Sequence, residues 1–189
     1  MSNSSAWRLD PSSALLVVID VQERLLPHIH DYRRIELNTE RLIRGCHLLD
    51  VPAVVTEQYT KGLGVTTAPL RTALAETTGY EPIEKMCFSS FGSVSFAERL
   101  TEGGRRSIIV CGIEAHVCVY QTSMDLLGSG FLVYVVTDAV SSRDPENRDL
   151  AFRRLEKEGA ILTSTEMSLF EMCVESGTAR FKAISKLVR

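Results

Sequence analysis

Short, uninterrupted apolar runs of strand length recur along this chain, separated by stretches long enough to hold a helix. Ala14 to Ile19 reads A-L-L-V-V-I, Ser107 to Cys111 reads S-I-I-V-C and Phe131 to Val136 reads F-L-V-Y-V-V. A strand with one wet face alternates apolar and polar residues; these do not, so both of their faces must be covered. Shorter runs at Ala53–Thr56, Glu81–Lys85 and Ala160–Thr163 raise the expected number of strands to six. Six strands alternating with helices predict an α/β fold with a six-stranded parallel, doubly wound sheet and helices on both faces, because right-handed crossovers leave few other topologies.

Helix signals fill the gaps. Asp20-Val21-Gln22-Glu23 has the D-x-x-E form of a capping box, predicting a helical turn that stops near Pro27. Asp31 can cap a longer helix with Ile35, Leu42, Cys46 and Leu49 on one face. Thr66 or Thr67 can start a short helix with Pro69 in its first turn, running to about Thr78, and Ser93 can cap one closed by Gly103-Gly104. Asp144-Pro145 is a cap followed by proline at the first helical position, with Gly159 as the stop. Thr165 and Thr178 are expected to start two closing helices, at about Glu166–Ser176 and Ala179–Leu187. Nothing resembles a linker, so residues 1–189 are read as a single domain.

A net charge of −3 offers no basic stripe, which argues against nucleic acid or an anionic membrane as partner. The five cysteines lack C-x-x-C spacing and are odd in number, so neither a disulfide framework nor a zinc site is indicated and a reducing, cytoplasmic setting fits. The N-terminus shows no basic segment followed by an apolar one, and no apolar run approaches the roughly 20 residues of a membrane span.

The stretch Ile108–Tyr120, I-I-V-C-G-I-E-A-H-V-C-V-Y, reads as strand, tight turn and helix. Cys118 then falls in the first helical turn beyond a buried strand, where open α/β sheets bind ligands. Amide donors there can cradle an oxyanion and pull a thiol below its free value of ~8.5. Alone, Cys118 is more simply a buried space-filler. Yet Asp20 follows the first strand and Lys85 ends the third, so carboxylate, ammonium and thiol share one sheet edge. Such a carboxylate can accept the thiol proton while the lysine favours the thiolate, making Cys118 the expected most reactive thiol. His116 lies two residues before Cys118 and points elsewhere on a helix, which makes it a poor rival base.

The segments L-L-V-V-I-D-V-Q, T-E-Q-Y-T-K-G-L-G, I-E-K-M-C-F-S-S-F and V-C-G-I-E-A-H-V-C-V, in this order from Leu15 to Val119, resemble the isochorismatase-like cysteine hydrolases. The resemblance implies a three-layer α/β/α sandwich with Asp20, Lys85 and Cys118 as a catalytic triad. It also implies a cis peptide between Ile113 and Glu114, and an oxyanion hole formed by the amides of Glu114 and Cys118. Gln22, Gln58, Tyr59, Phe88 and Phe91 follow strands one to three and are expected to line the substrate pocket, although the two phenylalanines would serve equally as core. Metal-binding nicotinamidases of this superfamily carry Asp-x-His after the second strand; Thr56-Glu57-Gln58-Tyr59 lacks it, so neither metal nor other cofactor is implied.

Isochorismatases proper cleave a vinyl ether without a cysteine nucleophile, so Cys118 argues for carbonyl chemistry, and the sequence most resembles the small isochorismatase-domain branch. The expected activity is hydrolysis of a small amide-type substrate through a thioester on Cys118. Vinyl ether hydrolysis and a thiol-sensing or interaction role on the same fold are the alternatives. Family resemblance further implies a homo-oligomer, with Phe181, Ile184, Leu187 and Val188 as a possible contact surface.

Overall fold

The computed structural model describes residues 8–77 and 79–189. Its six strands are β1 (Ala14–Ile19), β2 (Ala53–Gln58), β3 (Ile83–Lys85), β4 (Ser107–Ile113), β5 (Leu132–Ser141) and β6 (Ile161–Thr163). All pair in parallel in the order β3-β2-β1-β4-β5-β6. The order reverses between β1 and β4, which places the topological switch point between the C-terminal ends of those two strands.

The central strands are apolar throughout because no face of them meets water. Every residue of β1 and of β4 is buried. The helices are α1 (Tyr32–Leu48), α2 (Thr60–Leu63), α3 (Ala68–Thr77), α4 (Val94–Glu102), α5 (Tyr120–Gly128), α6 (Pro145–Lys157), α7 (Thr165–Cys173) and α8 (Ala179–Val188). On one side α1 packs against α3, α7 and α8; on the other α5 packs against α6, and a turn at residues 90–92 touches both α4 and α5. The three-layer α/β/α sandwich is therefore present. The expected end of the third helix at Thr78 lies outside the described residues.

Several local expectations are corrected. Asp20 starts no capping box: its backbone is left-handed, with φ of 54°, its side chain turns into the site, and Glu23 instead pairs with Arg71 at 2.6 Å. Short polar side chains tolerate that conformation, so the chain can turn sharply off β1 without glycine. Asp31 and Ser93 precede their helices but make no side-chain capping bond. Ser164, not Thr165, caps α7 through the amide of Met167, whereas Asp144 and Thr178 cap α6 and α8 as their sequence context predicts. β4 and β5 run further than their apolar runs, to Ile113 and Ser141, because ladder bonds continue past the hydrophobic segment.

The terminal helix is not an open apolar face. Ile184 is fully buried, Phe181 lies 5.9 Å from the ring of Phe170, and α8 packs on α1 and α7. Of the contact surface expected there, Ile184 and Val188 pack on the core and Phe181 meets Phe170, while Leu187 stays half-exposed.

Candidate active site

Gly112 explains how the chain leaves β4 beside β1. It pairs with Ile19 across the switch point with φ of 123°, and a Cβ at this position would lie 2.1 Å from the Ile19 carbonyl oxygen. Only glycine permits so close an approach. The following peptide, Ile113–Glu114, is cis, and residues 115–119 form one π-helical turn that feeds α5. The carbonyl of Glu114 accepts the amides of Val117 at 3.1 Å and Val119 at 3.2 Å. The Glu114 carboxylate turns away to hold the amide of Arg143 at 2.9 Å and its Nε at 3.1 Å.

Asp20, Lys85 and Cys118 meet at the C-terminal sheet edge. Lys85 Nζ donates to Asp20 Oδ2 at 2.7 Å, with neither side chain exposed. Lys85 begins two strands away and reaches across the end of β2, where its backbone pairs with that of Gln58. Asp20 Oδ1 accepts from Thr56 Oγ1 at 2.7 Å. The Cys118 thiol, 7% exposed, sits close enough to Asp20 and Lys85 for both charges to bear on its ionisation.

The electrostatics run against the expected lowering of the Cys118 thiol. Burial, then the negative charge of Asp20, push the Cys118 thiol up to about 12, and the opposing pull of Lys85 does not cancel them. The lysine's charge is already spent on the carboxylate. Cys118 is therefore a protonated thiol beside the Asp20–Lys85 pair.

Not all of the expected pocket residues face a pocket. Gln22 is fully buried, and its carboxamide bonds the Gln58 amide at 2.8 Å, the Gln58 carbonyl at 2.9 Å and the Gly64 carbonyl at 2.6 Å. It holds backbone and has nothing left to offer a ligand. The Gln58 carboxamide is likewise engaged, donating to the Met86 carbonyl at 2.8 Å and accepting from Lys85 Nζ at 2.8 Å. Phe91 packs against the core, while Tyr59 and Phe88 are exposed, as is Met86 two residues before Phe88. His116 turns from the triad to Ser142, with Nδ1 to Oγ at 2.9 Å. Sequence reasoning missed Thr56 as a partner of Asp20, Arg143 as the brace of Glu114, and Glu57, which is buried and holds Thr66 through its amide at 2.6 Å and its hydroxyl at 2.7 Å. Thr56, the neighbour of Ile19 in the β1–β2 register, was the one with a readable signal: a hydroxyl closing an otherwise apolar strand.

The Isochorismatase domain model matches residues 14–167. The chain belongs to the isochorismatase-domain family. It is 40% identical over 185 residues to the secreted isochorismatase effector Isc1 of Phytophthora sojae, covering 96% of this chain and 87% of that protein. It is 35% identical to human isochorismatase domain-containing protein 2, covering 98% and 87%. Among solved structures, the MAR1 ribonuclease of Caenorhabditis elegans superposes with a TM-score of 0.89 at 38% identity, covering 96% and 92%. The Escherichia coli YcaC gene product, described as an octameric hydrolase of unknown specificity, shares the fold at 21% identity, a TM-score of 0.87 and coverage of 95% and 90%. Membership of the isochorismatase-domain family makes the chain a hydrolase-fold protein whose sheet edge carries the residues described above.

Proposed function

We propose that this protein is a cysteine hydrolase of small amide-type substrates. One observation carries the reading: a buried thiol beside a fully buried carboxylate that is paired with lysine. In the proposed cycle Cys118 Sγ attacks the substrate carbonyl as its proton passes to Asp20, forming the S–C bond. The resulting oxyanion is received by the amides of Glu114 and Cys118, a role consistent with the Glu114 carbonyl's bonds to Val117 and Val119. Asp20 then returns the proton to the departing amine as the C–N bond breaks. Water, deprotonated by Asp20, attacks the thioester; the acid leaves and the thiol recovers its proton. Lys85 keeps Asp20 oriented between steps.

A resting thiol pushed to about 12 counts against a peroxide sensor, which needs a standing thiolate. The ribonuclease name of the C. elegans relative suggests RNA as another substrate, but a net charge of −3 opposes binding a phosphate backbone. We further read the protein as a cytoplasmic homo-oligomer. The cysteines of the chain are all free, which suits a reducing compartment, although the P. sojae relative is named as secreted. No helix among the described residues is long and apolar enough to cross a membrane. Tyr59, Val65, Met86, Phe88 and Val94, on the segments that follow β2 and β3, are exposed, and such apolar side chains suit association.

The test is a panel of small amides, carbamoyl compounds and vinyl ethers. Turnover of one amide should vanish in Cys118→Ala with little change in melting, and fall by roughly 10² to 10⁴ in Asp20→Asn, which also leaves Lys85 without its buried counter-charge and should lower the melting temperature. Wild-type turnover of that amide by Cys118→Ala would refute the nucleophile.

A further inference from the structure

Every hydrogen-bonding atom of Gln58 is committed, and together these commitments fix what faces Lys85. Its backbone amide and carbonyl are both taken by one side chain, the carboxamide of Gln22, at 2.8 and 2.9 Å. That carboxamide stands in for a peptide group. Asp20, in its left-handed turn, breaks the β1 ladder at the point where β2 still needs a partner, and Gln22 supplies the missing donor and acceptor. The side chain of Gln58 is then held by the Met86 carbonyl, which accepts from Nε2 at 2.8 Å. A carbonyl requires a donor opposite it, so the amide nitrogen must face Met86 and the oxygen must face the ammonium. The reverse orientation would set two carbonyls against each other and the neutral amide N–H against the ammonium.

We infer that Gln58 is a positioning residue for the proposed triad: a neutral acceptor, locked through Gln22 and Met86, that aims the Lys85 ammonium at Asp20 and Cys118. This deepens the hydrolase reading and rests on it for the meaning of the site, though not for its test. Around Lys85 Nζ the acceptors are Asp20 Oδ2 at 2.7 Å, Gln58 Oε1 at 2.8 Å, and the carbonyls of Phe88 at 3.1 Å and Cys87 at 3.2 Å. Nearby carboxylates point elsewhere: Glu84 bonds the Thr60 amide at 2.9 Å, and Glu57 bonds Thr66 and Tyr80. Among the described residues Asp20 is the one anion bonded to the ammonium. A neutral second acceptor therefore fixes the direction of Nζ without adding a charge that would drive the thiol higher.

The test does not require a substrate. Gln58→Glu is isosteric and puts a second carboxylate on Lys85, so the Cys118 thiol should become harder to ionise by about one pH unit or more. Alkylation of Cys118, followed by mass spectrometry between pH 7 and pH 9, should slow about tenfold at each pH. The factor should be the same for iodoacetamide and for the bulkier N-ethylmaleimide, because a change in access would discriminate by size. An unchanged rate, or a loss that depends on reagent size, overturns the proposal. Should Gln58→Glu fail to fold, Gln58→Leu removes the acceptor without adding charge, and a Cys118 alkylation rate within a factor of two of wild type would overturn it equally. If the alkylation shift appears while Cys118→Ala retains turnover, the positioning role stands and the hydrolase mechanism falls.

Discussion

Asp20 is the residue whose surroundings matter most to the proposed chemistry, since both of its oxygens are bound in a dry site. Oδ2 meets Lys85 and Oδ1 meets Thr56, each at 2.7 Å. Thr56→Val keeps the shape of the side chain but leaves Oδ1 without its donor, at a cost of about 1 to 3 kcal/mol for a buried unsatisfied acceptor. Urea titration should register that loss, and turnover of any substrate found should drop about tenfold because the carboxylate is free to rotate. Wild-type stability for Thr56→Val would show that another donor replaces the hydroxyl. The same dryness governs Cys118. With its thiol pushed up to about 12, alkylation should accelerate close to tenfold per pH unit from pH 7 to pH 10 without reaching a plateau. A plateau near pH 8 would mean that the site ionises the thiol after all.

At the scale of elements, the β1–β4 contact is the hinge of the architecture. Gly112 brings the Ile19 carbonyl to where a Cβ would sit, and its φ of 123° is denied to other residues. Gly112→Ala must push apart two fully buried strands whose backbone cannot yield as a flexible side chain would. Its expected destabilisation exceeds about 3 kcal/mol, read as a fall in melting temperature or as insoluble expression. A change of less than 1 kcal/mol would mean that β4 can shift without disturbing the switch point. By contrast, Asp144→Ala removes a cap at the surface, where the Asp144 side chain accepts from the Glu146 amide at 2.9 Å, and should cost only about 1 kcal/mol.

Two properties belong to the whole molecule. Cys46 and Cys111 are buried in the core, and desolvation pushes the Cys46 thiol up to about 12 and the Cys111 thiol higher still. With Cys118, three thiols stay protonated in the folded chain well above the ~8.5 at which an unfolded chain releases those protons. The folded state then binds more protons than the unfolded one, so stability is full below about pH 8.5 and falls as pH rises toward the folded values. The slope approaches about 1.4 kcal/mol per thiol per pH unit. Melting temperatures should drop between pH 9 and pH 11, and Cys46→Ala should blunt the drop. The second property is association. Light scattering at micromolar concentrations should report an oligomer, and replacing both Met86 and Val94 with lysine should shift it toward monomer; a wild-type monomer would remove the oligomer from the proposal.

How much of this was legible beforehand depends on the range of the interaction involved. The apolar runs at Ala14–Ile19 and Ser107–Cys111 announced strands buried on both faces, because burial acts on each side chain separately. Asp144-Pro145 and Thr178 announced helix starts, because a cap is satisfied within three residues. Placement of Asp20, Lys85 and Cys118 on one edge followed from strand polarity alone. Other features were not local. That Asp20 leaves its capping pattern for Lys85, 65 residues away, was decided by an ion pair only the folded sheet brings together. Gln22 and Gln58, expected to meet a ligand, became instead the backbone clamp and the acceptor that hold Lys85, because buried polar groups must be paired and the broken β1 ladder left them those partners. The sequence by itself determined the layers and which chemical groups share an edge; the tertiary structure decided which are spent on one another and which remain for a substrate, since in a dry site each donor can be used only once.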